Sequence, residues 1–284
     1  MRQPIPPQLL ARIVAETLRE DLGTGDVTTN AIVSEDLNAW GEIRCRTRIV
    51  VAGVEAAVRA FRLLDPDLQV EFAAADGDSL EPHARLLEVR GRARALLSAE
   101  RTALNFLGWL SGIATLTRRY VEAAAPHSVA ISDTRKTTPT LRILEKYAVA
   151  VGGGLNHRFG LWDAVLIKDN HVDLAGGVRA AMARLRETTG LRTPVEVEVR
   201  SMEELRDAIE SGAEAVLLDN FAPGALAEAA ALARGKTLIE FSGGVRLEMI
   251  PQLAAMGVDR ISIGALTHSA PAADLTMRIT TCTT

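Results

Sequence analysis

Residues 195–221 read VEVEVRSMEELRDAIESGAEAVLLDNF, and this stretch decides the fold class. Two short apolar runs, 195–199 and 215–218, flank a segment at 202–210 that has the length and period of a helix. Parallel strands need a crossover connection of this kind, because a tight turn cannot join them. The stretch therefore predicts a strand–helix–strand unit of a parallel sheet.

The same alternation continues on both sides of this stretch. Further apolar runs occupy 129–132, 164–167, 237–241 and 260–263, and helical patterns occupy 177–187, 223–233 and 247–256. Roughly six or seven such units in about 140 residues are typical of a βα barrel, complete or one strand short. The predicted fold class is α/β, with such a βα barrel in the C-terminal part.

The first hundred residues have a different pattern. Helical spacing over 8–20 and 54–64 is mixed with strand alternation over 40–53, 69–72 and 86–95, and 21–29 is predicted to be a loop. This mixture predicts an α+β region with an antiparallel sheet. The predicted domains are 1–112 for this region and 113–270 for the barrel, with a tail at 271–284 that packs back on the first domain.

A long helix is predicted to begin at Ser98, which is a suitable N-cap. Arg101 then lies in its first turn, where a cation opposes the positive end of the helix dipole. The simpler interpretation is a surface arginine, and the alternative is an arginine that faces an anion. Gly108 and Gly112 on the same helix are expected to let another element pack closely.

Composition excludes several classes of protein. The 284 residues carry a formal net charge of −4 and are 48% hydrophobic, which argues against disorder and against general binding to nucleic acids or membrane surfaces. Two cysteines, Cys45 and Cys282, make no disulfide framework. No secretory signal begins the sequence, and no apolar run reaches about 18 residues. A cytoplasmic location is predicted.

Polar groups follow the apolar runs at the point where each predicted strand ends. They are Asp133–Lys136, Lys168–His171, Glu198, Asp219–Asn220, Ser242–Gly244 and Gly264–Ala265. In a βα barrel these ends share one mouth, which is where the chemistry lies. Charged groups spread over about 130 residues are therefore expected to converge.

The cations of this set indicate a site for an anion. Arg135 and Lys136 precede Thr138 and Pro139, which are predicted to begin a helix whose N-terminus also favours an anion. Lys168 ends an apolar run, and a buried lysine needs an anion or a function. A Schiff-base lysine at this position is the alternative. The pair His157-Arg158 follows a triple glycine, whereas Arg142 and Lys146 are predicted to form a solvated helix face.

The carboxylates and glycines indicate a metal and a phosphate. Glu198 and Asp219 suit Mg²⁺, which prefers oxygen ligands and shares them with substrate phosphates; salt bridges to the nearby cations are the alternative. Glu196 and Glu198 face the same side of their strand, so at least one is expected to point into the barrel. The glycines at Ser242–Gly244 and Ile263–Ala265 would let backbone N–H groups approach a phosphate.

With these residues in view, the chain resembles the quinolinate phosphoribosyltransferase family over nearly its whole length. The similar segments include EDLGTGDVTT (20–29), LLSAERTALNFLGWLSGIAT (96–115), DTRKTTP (133–139), GGGLNHR (152–158), LIKDNH (166–171) and SGG (242–244). The resemblance implies a decarboxylating enzyme of de novo NAD synthesis that acts on quinolinate and phosphoribosyl pyrophosphate with Mg²⁺. It also implies an N-terminal α+β open-faced sandwich domain and an incomplete βα barrel. The family forms an obligate homodimer, so the resemblance further implies that Arg101 enters the neighbouring subunit's active site.

The resemblance assigns the candidate site residue by residue. It implies that quinolinate binds at Arg101, Thr134, Arg135, Lys136, His157, Arg158 and Lys168. It implies that the metal binds at Glu198 and Asp219, and phosphate at Ser242, Gly243, Gly244, Ile263, Gly264 and Ala265. The catalytic groups are expected to be Lys136, Lys168, Glu198 and Asp219.

The sequence departs from the family pattern at two positions. The family usually has glycine where this chain has Thr140, and often an acidic residue where it has Arg200.

Three competing hypotheses stay open. The first is membership of a family tied to molybdenum transport, which shares the fold but lacks an intact LIKDNH. A Schiff-base lyase that uses Lys168 is the second competing hypothesis, and a non-catalytic binder of phosphorylated metabolites is the third.

Overall fold

A computed structural model of the protein describes residues 4–189 and 194–282. The chain divides into two compact units. The first holds the described residues of 1–118, 143–153 and 269–284, and the second holds those of 119–142 and 154–268. The domain boundaries expected after residues 112 and 270 stay predictions.

The helices and strands up to residue 124 are as follows: α1 Pro7–Leu22, α2 Val27–Ile32, β1 Asn38–Cys45, β2 Ile49–Val50, α3 Val54–Leu64, β3 Gln69–Ala73, β4 Ser79–Leu80, β5 Arg85–Arg92 and α4 Ala93–Ala124. Those that follow are β6 Ala130–Ser132, α5 Arg142–Gly152, β7 Val165–Ile167, α6 Asp169–Ala175, α7 Val178–Thr189, β8 Val195–Val199, α8 Met202–Glu210, β9 Ala215–Asp219, α9 Pro223–Ala233, β10 Leu238–Ser242, α10 Ile250–Ala255, β11 Arg260–Ser262, α11 Ala265–His268 and β12 Leu275–Thr281. No helix among the described residues is both long and apolar enough to cross a membrane.

The first unit contains a four-stranded antiparallel sheet in the order β12-β1-β5-β3. Its edge strand β12 comes from the end of the chain and pairs with β1, so that Met277 lies opposite Ile43. Side chains of β1 alternate between buried and more exposed positions, as expected of a strand with one face on a core. Ile43 and Leu87 are fully buried on that face.

The long helix α4 packs closely against the segment that leads into β12. A Cβ at Gly112 would lie 2.1 Å from the carbonyl oxygen of Pro271, and the N–H of Ala273 donates to the carbonyl of Gly108 over 2.8 Å. The expectation that these two glycines allow a close approach is confirmed, because any larger side chain at Gly112 would collide with backbone.

The start of α4 differs from the prediction. The helix begins at Ala93, so Ser98 lies within it and its hydroxyl donates to Asp26 over 2.9 Å. Arg101 is therefore not in the first turn, and the helix-dipole argument for it was wrong. The loop predicted at 21–29 is also shorter than expected, because Asp26 accepts a hydrogen bond from Thr29 and caps α2.

The second unit contains a six-stranded parallel sheet in the order β6-β11-β10-β9-β8-β7. Its strands coincide with the predicted apolar runs to within one residue at most ends, and α8 and α9 have the predicted bounds. The predicted fold class, an incomplete βα barrel with a separate antiparallel sheet, is confirmed. The agreement follows from the sequence pattern, because strands covered on both faces are continuous Val, Ile and Leu runs.

Helix α5 begins later than predicted. Thr140 adopts a φ of +68° and the N–H of Leu141 donates to the carbonyl of Thr138, so a turn replaces the expected first helical residues. The helix starts only at Arg142. The predicted helix N-terminus directly after Lys136 was therefore wrong. Lys146 is fully buried, so the prediction of a solvated helix face was wrong as well.

Candidate active site

The second unit holds a cavity of about 400 Å³ at the carboxyl ends of its parallel strands. Eleven of the predicted site residues line it: Thr134, Arg135, Lys136, His157, Arg158, Lys168, Glu198, Asp219, Ser242, Gly243 and Gly244. They come together because the carboxyl ends of parallel strands lie on one edge of the sheet. Of the other predicted residues, Ile263, Gly264 and Ala265 lie just after β11, and Arg101 belongs to the first unit.

The end of β6 holds the loop that carries His157 and Arg158. The N–H of Leu155 donates to the carbonyl of Ile131, next to a parallel bridge between Leu155 and Ser132. The buried carboxylate of Asp133 then accepts from the N–H of His157 over 2.8 Å and from the Asn156 side chain over 2.7 Å. A carboxylate with several donors is a rigid anchor, so the loop has a fixed position relative to β6.

Two arginines line the same cavity, and their positive charges repel each other. Burial lowers the pKa of Arg158, and the positive charge of Arg135 lowers it further. The Nε of Arg135 is buried and has no hydrogen-bond partner among the described residues. A buried donor without a partner costs about 1–3 kcal/mol. An anion between the two guanidinium groups would supply the missing acceptor and relieve their repulsion.

Both ring nitrogens of His157 are engaged within the protein. Nδ1 accepts a hydrogen bond from the backbone N–H of Arg158 over 2.7 Å, and Nε2 lies 3.0 Å from a carboxylate oxygen of Glu196. Because Nδ1 is an acceptor, the ring carries its proton on Nε2 and donates it to the carboxylate. The ring is therefore held from both ends.

Glu196 belongs to a group of four charged or titratable residues whose side chains are at most 23% exposed, which we call the buried quartet: His157, Glu196, Glu240 and Arg260. Arg260 lies 3.1 Å from Glu196 and also contacts Glu240, which in turn lies 3.5 Å from His157 and accepts from Ser262. Burial and the charge of Glu196 raise the pKa of Glu240 to about 7. Burial would also raise the pKa of Glu196, but hydrogen bonding to His157 and the positive charge of Arg260 keep it below its usual value.

The quartet has the residue types of a metal site but not the charge balance of one. The ligand atoms of His157, Glu196 and Glu240 lie within 4.8 Å of one another. However, the guanidinium of Arg260 already occupies the side facing both carboxylates. A divalent cation there would repel this guanidinium, so we assign the group to an internal ion network.

Lys168 is less buried than the sequence suggested. Its side chain is 48% exposed, and its ammonium lies 4.0 Å from Glu198 at the end of the neighbouring strand. The interpretation of Lys168 as a buried lysine was therefore wrong. A half-exposed ammonium beside a carboxylate also lacks the apolar surroundings that activate a Schiff-base lysine, which disfavours that alternative.

Glu198 and Asp219 fit a divalent cation on electrostatic grounds. Burial raises the pKa of Glu198, and the negative charges of Asp219 and Asp169 raise it further, against the opposing charges of Lys168 and Lys136. Two carboxylates that destabilise each other's charge on adjacent strands would be relieved by a shared cation. The side-chain amide of Asn220 donates to Asp219 over 3.0 Å and orients that carboxylate.

The glycine loop after β10 needs glycine for two reasons. Gly243 has a φ of +108°, and a Cβ at this position would lie 2.1 Å from the Oδ1 of Asn220. Gly244 has a φ of +58° and open space around it. The loop therefore presents bare backbone to the cavity, which is the arrangement that cradles phosphate groups.

The segment after β11 supports Lys136. A Cβ at Gly264 would lie 2.9 Å from the Cδ of Lys136, and the hydroxyl of Thr267 donates to the carbonyl of Lys136 over 2.7 Å. Gly264 thus leaves room for the lysine stem, and Thr267 fixes the backbone beneath it. Thr267 was not among the predicted site residues.

Arg101 lies in the first unit on the exposed side of α4. It borders a groove together with Trp109 and the segment Ala272–Leu275. Among the described residues, no ion pair of Arg101 is found. The arginine is thus exposed and available to a partner.

Sequence reasoning missed three polar groups within the strands. Glu240 and Ser262 line the cavity, and Arg260 begins β11 and contacts Glu240. The signal was present in LIEFS at 238–242, where one carboxylate interrupts an apolar run that is buried on both faces. A charge in such a strand needs a partner, and Arg260 on the adjacent strand was available.

Two family models match almost the entire chain. "Quinolinate phosphoribosyl transferase, N-terminal domain" matches residues 26–111, and "Quinolinate phosphoribosyl transferase, C-terminal domain" matches residues 113–278.

Relatives and solved structures agree with these matches. A probable nicotinate-nucleotide pyrophosphorylase [carboxylating] of Bacillus subtilis is 41% identical over 271 residues, which is 95% of this chain and 93% of the relative. One from Methanocaldococcus jannaschii is 40% identical over 94% of this chain and 96% of the relative. The structure of the nicotinate-nucleotide pyrophosphorylase from Francisella tularensis superimposes with a TM-score of 0.93 at 38% identity and covers 98% of each chain.

Proposed function

This chain belongs to the quinolinate phosphoribosyltransferase family and is a phosphoribosyltransferase, and from that premise we propose that it acts on quinolinate. It transfers the phosphoribosyl group of phosphoribosyl pyrophosphate to the ring nitrogen of quinolinate, with decarboxylation. The products are nicotinate mononucleotide, pyrophosphate and CO₂, and the reaction belongs to de novo NAD biosynthesis.

The observation that carries the proposal is the pair of arginines that share the cavity. Arg135 and Arg158 oppose each other's charge, and the Nε of Arg135 has no acceptor among the described residues. Quinolinate has two adjacent carboxylates on a planar ring, so it can engage both guanidinium groups and Lys168. Bidentate contacts of this kind orient the ring as well as bind it.

The opposite part of the cavity suits the activated ribose. The glycine loop, Ser242–Gly244, offers backbone to a phosphate, and Lys136 adds a positive charge. Glu198 and Asp219 would hold Mg²⁺, which shields the pyrophosphate charge when bound. These carboxylates would also stabilise the positive charge that develops on the ribose ring as the pyrophosphate leaves.

The chemistry proceeds in two steps. The quinolinate nitrogen forms a bond to C1 of the ribose as the bond to the pyrophosphate oxygen breaks and that oxygen keeps the electron pair. The pyridine nitrogen becomes cationic and stabilises negative charge on the adjacent carbon, so the carboxylate there leaves as CO₂ and a proton replaces it. Lys136 and Lys168 are the cavity cations available to stabilise this charge.

The working form of the enzyme is proposed to be a homodimer or a higher oligomer in the cytoplasm. Arg101 is exposed beside a groove of the first unit. Donation of this arginine into the cavity of a second copy would add a further cation for the dicarboxylate. This donation would explain why an exposed arginine lies on that face of α4.

A direct assay tests the proposal. Purified protein is incubated with quinolinate carrying a labelled 2-carboxylate and with phosphoribosyl pyrophosphate, and the release of labelled CO₂ and the formation of nicotinate mononucleotide are followed with and without Mg²⁺. Release that needs both substrates and the metal is expected, with no product from nicotinate as acceptor. Binding of phosphorylated metabolites without turnover would contradict the proposal and favour a non-catalytic binder.

A further inference from the structure

The buried quartet lies against the loop that carries Arg158, and its presence is not explained by stability. Glu240 is fully buried, and Glu196 and the His157 ring are at most about 10% exposed. A buried ion network usually stabilises no more than apolar residues of the same volume, because the desolvation of each charge offsets the attraction. Stability alone therefore does not explain why charged residues occupy this position.

The contacts form one connected path from the sheet to Arg158. Arg260 on β11 contacts Glu240 on β10 and Glu196 on β8, and both carboxylates lie at the Nε2 of His157. The Nδ1 of the same ring accepts the backbone N–H of Arg158. Three strands of the sheet thus determine the orientation of one imidazole ring.

The loop is held from a second side by β6. Asp133 binds the N–H of His157 and the side chain of Asn156, and Leu155 pairs with the backbone of β6. These contacts fix the backbone up to residue 157 but do not reach the N–H of Arg158. That N–H is held by the imidazole Nδ1 of His157.

We propose that Glu240 and Arg260 are positioning residues of the dicarboxylate pocket: they orient the ring of His157, and through it they fix the backbone from which the Arg158 guanidinium reaches the substrate. His157 then acts on the position of the substrate through Arg158. The proposal rests on the proposed function, since it assumes that the cavity binds a dicarboxylate.

The test compares substrate affinities of the intact enzyme. Glu240→Gln and Arg260→Lys are expected to raise the KM for quinolinate tenfold or more, while the KM for phosphoribosyl pyrophosphate stays within twofold. The matched controls are Glu248→Gln and Arg246→Lys, which alter an exposed ion pair of the same unit and are expected to leave both values unchanged. Equal changes in both KM values, or no change in either, would overturn the proposal.

A second background separates positioning from general destabilisation. In a His157→Asn enzyme the path is already broken, so Glu240→Gln is expected to change the quinolinate KM by less than twofold. A persistent tenfold effect in that background would show that Glu240 does not act through His157. If Arg260→Lys fails to fold, Ser262→Ala replaces it, because this change removes only the hydroxyl that donates to Glu240.

A spectroscopic measurement separates failure of the positioning role from failure of the proposed function. Nitrogen-15 NMR of the wild-type histidines is expected to show the His157 ring protonated on Nε2, and Glu240→Gln is expected to shift this signal. If the shift occurs but the wild-type enzyme does not bind quinolinate, only the proposed function fails. If quinolinate turns over normally and the ring is insensitive to residue 240, the positioning role is refuted.

Discussion

Gly243 faces Asn220 so closely that a Cβ at position 243 would lie 2.1 Å from the Oδ1 of Asn220 and 3.1 Å from its backbone nitrogen. The two residues follow the ends of β10 and β9, which pair in parallel with Ser242 opposite Asp219. Asn220 itself adopts a φ of +54° and donates to Asp219. The glycine loop and the carboxylate of Asp219 are therefore connected through Asn220, so a change that displaces Asn220 also disturbs Asp219.

Gly243→Ala is expected to weaken the binding of phosphoribosyl pyrophosphate. The new methyl group must displace Asn220, and with it the orientation of Asp219. We expect the KM for this substrate to rise tenfold or more, with a smaller effect on quinolinate, as measured by steady-state kinetics.

Gly243→Ala also strains the backbone, because alanine disfavours a positive φ, and this loss of stability needs a control of its own. Gly235 has a φ of +75°, and nothing lies within 4 Å of its Cβ position. Gly235→Ala therefore costs about 1–2 kcal/mol of stability from the left-handed backbone alone. If both variants lower stability alike and neither changes the KM, the contact with Asn220 has no part in substrate binding.

Arg135→Ala and Lys168→Ala are each expected to lower kcat/KM by several orders of magnitude while the fold survives. Each removes a cation from the cavity, and neither side chain is part of the core. Thermal unfolding and circular dichroism would verify the fold, and Arg246→Ala on the exposed surface is the matched control. Near-normal turnover in either variant would show that the dicarboxylate binds elsewhere.

The shared-site arrangement predicts recovery of activity in mixed dimers. Arg101→Ala protein and Lys168→Ala protein are each expected to be inactive alone, since every site lacks one cation. After subunit exchange, a hybrid dimer contains one site with both residues intact, so up to about a quarter of the wild-type activity is expected if mixing is random. Exchange demonstrated by differently tagged subunits, with no recovered activity, would contradict the donation of Arg101.

The sequence predicted the parallel strands well and the helix starts poorly, for physical reasons. The strands are short apolar runs covered on both faces, so their pattern is local and β8 at 195–199 could be located from composition alone. The start of α4 at Ala93 depends on how the preceding strand ends, and Ser98 is a suitable cap that instead binds Asp26. Helix caps are chosen by tertiary contacts that a local pattern does not contain.

The site was predicted at the strand ends and missed inside the strands. Arg135 and Lys168 stand out because charges follow apolar runs there. Glu240 and Arg260 are far apart in the sequence and become partners only because β10 and β11 pair in parallel register. No local feature connects them, although the buried charge at position 240 indicates that a partner exists.

Thr140→Gly is expected to stabilise the protein. Thr140 is exposed and adopts a φ of +68°, a conformation that is strained for a β-branched residue. Glycine removes about 1–2 kcal/mol of strain but costs about 0.5–1 kcal/mol of additional chain entropy, so a net gain of up to about 1.5 kcal/mol is expected. Urea unfolding measures it, and Thr140→Ala, which keeps the Cβ, is expected to gain less. A loss of stability with glycine would show that the turn tolerates threonine without strain.

Glu240 predicts a pH dependence of stability that a single substitution removes. Its pKa is raised from 4.5 to about 7 in the folded protein, so between these pH values the folded state binds more protons than the unfolded state. The contribution of this group to the free energy of unfolding is then fully present below about pH 4.5 and is lost as the pH rises through 7. Glu240→Gln cannot ionise, so its stability relative to wild type is expected to increase between pH 5 and pH 8, by on the order of 1–3 kcal/mol. Urea unfolding at several pH values in this range measures the difference in unfolding free energy between variant and wild type, in which the titration of all other groups largely cancels.

The matched control is Glu248→Gln. Glu248 is exposed, and its pKa is lowered by its own backbone N–H and by Arg246, so it stays ionised over this range. The difference in unfolding free energy between this variant and wild type is therefore expected to be the same at every pH. A flat difference for Glu240→Gln as well would show that Glu240 is already ionised at pH 5, with its charge compensated by Arg260.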